Sequence, residues 1–283
     1  MPFPQVTEAD RAAFWRDGYV VKSGFFDAEE IGLLQQAIAQ DEGIRSHVVA
    51  LKDSLGGSTE LALWNHPGDD LFGAFARCER MVDGAERLLG GEVYHYHSKL
   101  TMKRPRAGGA WDWHQDYGYW YNNGCLYPDM LSVAIAVDRA TRENGCLQMI
   151  RGSHKLGRID HGRVGGQTGA DMERVNQALE RMPRDYMEMA PGDVCFFHAN
   201  TLHASEQNKS EHSRNVMLCC YNAAWNDPYK AHHHPGYTRL ERVADDRIKA
   251  MGLTLDAGHR AFFDPERDET VEAKTQPEGT AAR

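Results

Sequence analysis

The hydrophobic pattern of this chain changes its period at the glycine pair Gly90-Gly91. Upstream of the pair, apolar residues recur at helical spacing. Downstream, short segments alternate apolar and polar residues between Gly, Pro and Asn turns. The alternation predicts strands at 93–103, 131–137, 146–150, 186–189, 194–198 and 215–222. Helices followed by many short strands predict an α+β chain with a mainly β core, an antiparallel barrel or jelly roll flanked by N-terminal helices.

Three helices are predicted upstream of the strands. The first begins after Thr7 and ends at Gly18, and the second begins after Asp27, because both starting residues are N-capping types followed by acidic residues. The third covers 71–89, with its apolar residues at helical spacing. The stretch 48–63 is interpreted as a loop or short strands.

The chain shows no internal repeat and no clear domain boundary, so residues 1–283 are interpreted as one domain. The helical flank covers 1–90, and the strand-rich core covers 91–225. An insertion at about 157–184 is rich in glycine and then helical over 171–181, which is typical of a lid or an interface. The segment 256–283 is polar, and its last part, 268–283, is expected to be frayed.

Composition narrows the class of protein. A net charge of −9 argues against a nucleic-acid partner, which requires a dense positive surface. The N-terminus lacks the basic and apolar regions of a signal peptide, and no apolar segment approaches the length of a bilayer span. The six cysteines have no paired spacing, so we expect reduced, mostly buried thiols. These features favour a cytoplasmic protein with neither a nucleic-acid nor a membrane partner; homo-oligomer formation stays open.

The segment 93–103 alternates polar and apolar side chains. Its apolar face carries Tyr94, Tyr96, Leu100 and Met102, and its polar face carries His95, His97, Lys99, Thr101 and Lys103. A strand of this kind in mid-chain is either half-exposed or lines a polar cavity.

His114 and Asp116 stand two residues apart in an aromatic stretch, and His203 follows much later. Residues two apart on an extended strand project from the same side, so one strand supplies two donors and a neighbouring strand the third. Two imidazoles and one carboxylate are the donor set of a mononuclear iron(II) site with open positions. Arg214, eleven residues after His203, supplies a fixed cation for an acidic co-substrate.

Other histidines compete for the third position, since the chain contains 14 of them. His198 is interpreted as a strand residue near the site, and His154 as a structural or supporting group. The run His232-His233-His234 is interpreted as a solvated loop, because adjacent residues on a strand do not all face one ion.

Several ordered motifs resemble the phytanoyl-CoA dioxygenase family. In order they are Trp113-His114-Gln115-Asp116, Asn144-Gly145-Cys146-Leu147, Gly152-Ser153-His154, Pro191-Gly192-Asp193, Phe196-Phe197-His198, His203-Ala204-Ser205, Asn208-Lys209-Ser210 and Arg214. They cover about 90–222, and motifs in matching order are far more specific than any one of them. The resemblance implies a double-stranded β-helix (a cupin-like jelly roll), with iron(II), 2-oxoglutarate and dioxygen as cofactor and co-substrates.

The resemblance also implies roles for individual residues. His114, Asp116 and His203 correspond to the iron ligands, and Arg214 to the partner of the distal 2-oxoglutarate carboxylate. A hydroxyl that donates to the same carboxylate falls on Ser205. Lys99 and Lys103 are weaker candidates for co-substrate contacts.

Two positions bear on the reaction and the pocket. Related halogenases carry Gly or Ala where this chain has Asp116, so the carboxylate favours hydroxylation over halogenation. Some family members have a tryptophan on the strand after the metal segment, and this chain has Ala134 at that position. The details of the family's co-substrate pocket, and an acyl-CoA substrate, are therefore not expected to carry over.

The substrate is less constrained by the sequence. Trp120, Tyr117 and Trp225 are candidates for an aromatic substrate wall, or they simply pack the barrel. Basic residues near the predicted mouth are an alternative seat for an anionic substrate, or a solvated rim: Arg104, Arg106, Arg151, Lys155, Arg158 and Arg163. The expected activity is hydroxylation of a small-molecule C–H bond with release of succinate and CO2. The alternatives are desaturation or another oxidation, a catalytically silent metal-binding barrel, and an oxygenase acting on protein or nucleic acid.

Overall fold

The computed structural model describes residues 3–54, 56–164 and 166–264. The helices are α1 (Glu8–Asp17), α2 (Ala28–Gln40), α3 (Glu42–Ser46), α4 (Leu71–Arg77), α5 (Glu79–Leu89), α6 (Asp116–Trp120), α7 (Met172–Arg181) and α8 (Arg247–Met251). The strands are β1 (Tyr19–Lys22), β2 (Val49–Lys52), β3 (Ser58–Trp64), β4 (Val93–Lys103), β5 (Trp111–His114), β6 (Met130–Ala136), β7 (Leu147–Ile150), β8 (His161–Val164), β9 (Gln167–Ala170), β10 (Arg184–Tyr186), β11 (Val194–His198), β12 (His203–Ser205) and β13 (Arg214–Ala223).

Two antiparallel sheets form the core. The larger has the order β1-β11-β6-β13-β4-β3-β2, and the smaller has the order β10-β7-β12-β5. The strands β8 and β9 form a separate hairpin. This arrangement confirms the predicted α+β fold with a jelly-roll core and N-terminal helices.

Alternate residues of the central strands lie on opposite faces of the larger sheet, which explains why their sequence pattern repeats every two residues. Val133 and Ile135 of β6 pack in one apolar cluster with side chains of the N-terminal helices, such as Phe75 of α4. Ala134 and Ala136 pack on the other face, in a cluster that includes residues of the smaller sheet. The sheet therefore has one face under the helices and one face toward the smaller sheet, where a cavity lies.

The start of β4 departs from the predicted alternation. A register shift between Cys220 and Tyr221 places an extra β4 residue against β13. Before the bulge, Tyr94 and Tyr96 pack in a cluster with Trp120, and the His95 ring lies against Tyr221 of the helix-side cluster. The prediction that His95 shares a face with His97 is therefore wrong, because alternation reverses across a bulge.

The predicted helix over 71–89 is two helices. Cys78 adopts an extended backbone (φ −61°, ψ 146°) between α4 and α5 and pairs with Val243 from the C-terminal segment. No glycine or proline marks this break, so the hydrophobic spacing alone did not reveal it. The strand predicted at 186–189 lies earlier, as Arg184–Tyr186.

The insertion contains the hairpin β8–β9 before the predicted helix α7. The sequence analysis predicts no strands in the glycine-rich part of the insertion, so the hairpin is a feature that it misses. In the C-terminal segment, the buried Arg260 pairs with Asp41 and Asp70, so the polar composition there does not mean solvent exposure. The region 268–283 lies outside the described residues.

The six cysteines are free and buried, which confirms the expectation of unpaired thiols. None of the helices in the described ranges has the length and apolar character needed to cross a bilayer.

Two buried histidines outside the cavity predict acid sensitivity. Burial lowers the pKa of His95 and of His198 to about 3, whereas an unfolded histidine titrates near 6.5. Between these values the unfolded chain binds more protons than the folded one, so stability falls as pH drops below about 6.5. At pH 5 the loss is on the order of 2 kcal/mol for each histidine. We expect thermal denaturation to show a lower melting temperature at pH 5 than at pH 7.5; an unchanged value would contradict the neutral, buried state of these rings.

Candidate functional site

A cavity of about 270 Å³ lies between the two sheets. His97, Lys99 and Thr101 of β4 line it, as do His114, His203 and Arg214. After the bulge, the polar face of β4 therefore lines a cavity, as one of the two predicted outcomes required, but much of the remaining wall is apolar and includes Leu61, Leu63 and Leu218.

The side chains of His114, Asp116 and His203 converge beside the cavity, which the two histidines line. Their potential ligand atoms lie within 4.8 Å of one another, and all three residues are buried. The Nε2 atoms of His114 and His203 each lie 3.9 Å from Oδ1 of Asp116. Among the described residues, this is the one group of histidine, cysteine and acidic side chains that is spaced to hold a metal ion.

The backbone orients both imidazoles. Nδ1 of His114 lies 2.7 Å from the carbonyl of Asp112, and Nδ1 of His203 lies 2.9 Å from the carbonyl of Thr201. An Nδ1–H that donates to a carbonyl leaves the lone pair of Nε2 free for a metal. Burial lowers the pKa of both histidines, so both rings are neutral and able to coordinate.

Three neighbours hold the carboxylate of Asp116. Ser132 donates to Oδ2 at 2.7 Å, Tyr119 donates to Oδ1 at 2.9 Å, and the Lys99 ammonium lies 3.6 Å from Oδ1. Burial alone would raise the pKa of Asp116, but the Lys99 ammonium and the hydrogen bond from Ser132 lower it below its usual range. The carboxyl group is therefore ionised, as a metal ligand must be. Sequence reasoning missed Tyr119 and Ser132, which have no motif of their own.

Asp116 does not lie on the same strand as His114, contrary to the prediction. The strand β5 ends at His114, and Asp116 is the first residue of α6. Gln115 fixes the turn between them: its side-chain amide donates to the carbonyls of Gly157 and Asn200. The third donor comes from a neighbouring strand, as predicted, because His203 lies on β12 and pairs with His114 of β5.

The hairpin β8–β9 supports this turn. The backbone N–H of Gln115 donates to Nε2 of His161 at 2.9 Å, and Gln167 of β9 accepts from the N–H of Asp112. The N–H of Gly166, in the hairpin turn, donates to the carbonyl of Lys52 in β2. The hairpin therefore lies over the cavity, with hydrogen bonds to β5 and the turn after it on one side and to β2 on the other.

Arg214 places a buried guanidinium in the cavity wall. Its Nη1 donates to the carbonyl of Gly145 at 2.9 Å. Its Nε has no hydrogen-bond partner among the described residues. Burial lowers the pKa of Arg214 to about 10, so the guanidinium is charged at neutral pH. It can donate further hydrogen bonds to a ligand in the cavity.

Two of the other three co-substrate candidates lie beside Arg214, whereas Lys99 lies beside Asp116. Lys103 pairs with Arg214 in register and donates to Oγ of Ser205 at 2.7 Å and to the carbonyl of Glu206. Neither Lys103 nor Ser205 belongs to the residues that line the cavity. The Ser205 hydroxyl accepts from Lys103, so its own proton is left to donate elsewhere.

Of the three aromatic residues predicted to contact the substrate, one lines the cavity and two do not. Trp120 is fully buried and lines the cavity. The hydroxyl of Tyr117 donates instead to the carbonyls of Cys125 and Leu126, and Trp225 is half-exposed, with its indole N–H donating to Asp129. The structure therefore does not bring Tyr117 or Trp225 to the cavity, and their prediction as substrate contacts is not supported by their positions.

The histidine run is not a solvated loop, so that interpretation is wrong. His234 is buried, lies 4.8 Å from the His97 ring between ring centroids, and contacts Oδ1 of Asn65 through Nδ1. Both His233 and His234 line the cavity. His198, by contrast, packs against Phe14 and Trp15 of α1. It is a strand residue, as predicted, but not one near the site.

Of the six predicted basic residues, Arg163 alone lines the cavity. Arg104 and Arg106 pair with Glu60 and Glu211, and Arg151 pairs with Asp185. The remaining two, Lys155 and Arg158, donate to backbone carbonyls.

Gly118 of α6 faces the ring of His161, which leaves no space for a β-carbon. We expect Gly118→Ala to displace α6, and Asp116 with it, and to weaken iron(II) affinity by roughly tenfold to a hundredfold, the range seen when supporting contacts of a ligand are lost. Isothermal titration measures the affinity. The control is Gly32→Ala in α2, where a β-carbon meets nothing within 4 Å. Equal iron affinity in both variants would show that the His161 contact does not position the ligand.

Comparisons with known proteins agree with this geometry. The family model described as phytanoyl-CoA dioxygenase (PhyH) matches residues 14–216. L-proline trans-4-hydroxylase of Streptomyces griseoviridis is 32% identical over 77% of this chain and 87% of its own length. Ectoine dioxygenase of Stutzerimonas stutzeri is 27% identical over 74% of each chain.

Solved structures show the same fold. The crystal structure of EctD from S. alaskensis with bound Fe superposes with a TM-score of 0.69 and 26% identity, over 84% of this chain and 88% of that one. The same protein is also known with 2-oxoglutarate and 5-hydroxyectoine. This chain belongs to the phytanoyl-CoA dioxygenase family of iron- and 2-oxoglutarate-dependent oxygenases.

Proposed function

We propose that this protein hydroxylates a C–H bond of a small molecule, using iron(II), 2-oxoglutarate and dioxygen and releasing succinate and CO2. The observation that carries the proposal is the convergence of His114, Asp116 and His203 beside one cavity with the buried Arg214. Two imidazoles and one carboxylate leave half of the iron coordination sphere for 2-oxoglutarate and dioxygen. The relatives at the highest identity given above are a hydroxylase and a dioxygenase of small molecules.

The spacing along β4 fits a chelating co-substrate. Lys99 contacts Asp116, and Lys103, four residues further along the strand, is in register with Arg214. At about 3.3 Å per residue, the ligand cluster and Arg214 are separated by roughly 13 Å of strand, which the side chains shorten from both ends. A dicarboxylate whose keto-acid end faced the three candidate ligands would have its distal carboxylate on the side of Arg214, and a guanidinium binds such groups through two parallel hydrogen bonds.

Each residue of the site has a defined task. Asp116 and the two histidines would hold the iron, and Tyr119, Ser132 and Lys99 hold the carboxylate in place. When bound, iron supplies the oxidation, by coupling reduction of dioxygen to decarboxylation of 2-oxoglutarate. The hairpin β8–β9 covers the cavity and limits the entry of water.

Succinate release tests the proposal. The purified protein with iron(II), 2-oxoglutarate and air should form succinate, and a chelator should stop it. A substrate found by stimulated succinate release should gain one oxygen atom in mass, whereas loss of two hydrogens would identify a desaturase instead. Absence of succinate under all these conditions would identify a catalytically silent barrel.

A further inference from the structure

The cavity extends beyond the ligand cluster on the side away from Arg214. His97 lies two residues before Lys99 on β4, whereas Arg214 is in register with Lys103 on the far side. Lys99, which contacts Asp116, therefore stands between them. If 2-oxoglutarate occupies the Arg214 side, as the proposed function requires, the region beside His97 is left for the substrate.

Two buried side chains in this region have ring nitrogens without a hydrogen-bond partner in the part of the chain that the structure describes. His97 is 2% exposed, and neither of its ring nitrogens has a hydrogen-bond partner among the described residues. The same is true of the indole nitrogen of Trp120, whose side chain is fully buried. The two rings are in contact, with centroids 5.4 Å apart, and both line the cavity. A buried polar group without a partner costs free energy, so a ligand that supplies the partner is favoured.

The two ring N–H groups favour a ligand that carries a hydrogen-bond acceptor. An indole N–H only donates, and a neutral imidazole offers one N–H and one acceptor nitrogen. Burial lowers the pKa of His97, as does the neighbouring Lys99 ammonium, so the ring is neutral. Two N–H donors side by side suit an oxygen with several lone pairs.

The charged side chains that line the cavity favour an anionic substrate. The ionised side chains in the described lining of the cavity are Lys99, Arg163 and Arg214, and all are positive. The charges of Asp116 and of doubly charged 2-oxoglutarate do not exceed those of iron(II) and Arg214 together. The occupied site therefore keeps a positive balance from Lys99 and Arg163, which favours a negatively charged substrate.

We propose that the substrate is a small carboxylic acid whose carboxylate accepts hydrogen bonds from the ring N–H groups of His97 and Trp120. This inference rests on the proposed function and adds the substrate class and the residues that select it. His97 and Trp120 are then specificity-determining residues, and the carbon skeleton extends from them toward the iron.

Matched pairs of compounds test the inference: small carboxylic acids, including L-proline and other α-amino acids, each with its primary amide. Binding is measured by calorimetry on the anaerobic protein loaded with iron(II) and 2-oxoglutarate. At least one acid should bind about tenfold to a hundredfold more tightly than its amide, the range expected for hydrogen bonds to a charged group. His97→Phe and Trp120→Phe keep a ring but remove the N–H, and each should reduce this acid-to-amide ratio.

The matched control is His198→Phe, which changes a buried histidine outside the cavity and should keep the ratio. The inference is overturned if no acid is preferred over its amide, or if the ratio survives in both His97→Phe and Trp120→Phe. Failure of the proposed function looks different: the acid preference is then present in binding, but no compound releases succinate.

Discussion

Replacing Asp116 with alanine is expected to abolish 2-oxoglutarate turnover. The carboxylate is one of the three candidate ligands and the only anionic one, and its loss also leaves the largely buried Lys99 ammonium without its partner. Loss of a contact that merely supports a ligand reduces metal affinity or activity by 10–100-fold, so loss of the ligand itself should exceed about a hundredfold. Succinate release and iron(II) titration measure the two effects.

The control for this variant is Asp83→Ala, which removes an exposed carboxylate of α5 that pairs with Arg242. It should turn over 2-oxoglutarate like the original protein. If Asp116→Ala kept normal turnover, Asp116 would not be an iron ligand.

Replacing Arg214 with methionine should raise the KM for 2-oxoglutarate. Truncating one partner of a buried, hydrogen-bonded charge pair costs about 2–5 kcal/mol, which corresponds to roughly thirtyfold to a few thousandfold. Without 2-oxoglutarate the variant should be no less stable, because it removes a buried cation whose Nε is unpartnered among the described residues. The two expectations separate a binding role from a structural one.

Thermal denaturation with and without 2-oxoglutarate checks both. The original protein, loaded with a redox-inert divalent metal, should gain melting temperature when 2-oxoglutarate is added, and Arg214→Met should not. Arg104→Met, which alters an exposed arginine paired with Glu60, should respond like the original protein. An undiminished response in Arg214→Met would place the co-substrate carboxylate elsewhere.

The fold was predictable from the sequence where periodicity carries the information. The strand over 93–103 and the helix that begins after Asp27 match the structure, as β4 and α2. Prediction failed where tertiary contacts override the local pattern. Cys78 breaks a helix by pairing with Val243, and the bulge opposite Cys220 reverses the faces of β4. Neither feature leaves a Gly or Pro signal in the chain.

The site was predictable to the extent that residues belong to motifs. The cluster of His114, Asp116 and His203 and the position of Arg214 agree with the sequence prediction, and their roles stay predictions until tested. The environment of the cluster was not predictable, because Tyr119, Ser132 and His161 reach it from elements whose arrangement only the fold determines. His234 was misassigned for the same reason, since burial of a histidine run depends on what packs over it.

Anomalous diffraction at the iron absorption edge, from crystals grown anaerobically with iron(II) and 2-oxoglutarate, tests the central claim most directly. We predict one strong peak within coordination distance of Nε2 of His114, Nε2 of His203 and a carboxylate oxygen of Asp116, with 2-oxoglutarate extending from it to Arg214. A peak at other residues, or no peak between these three side chains at full iron loading, would contradict the account.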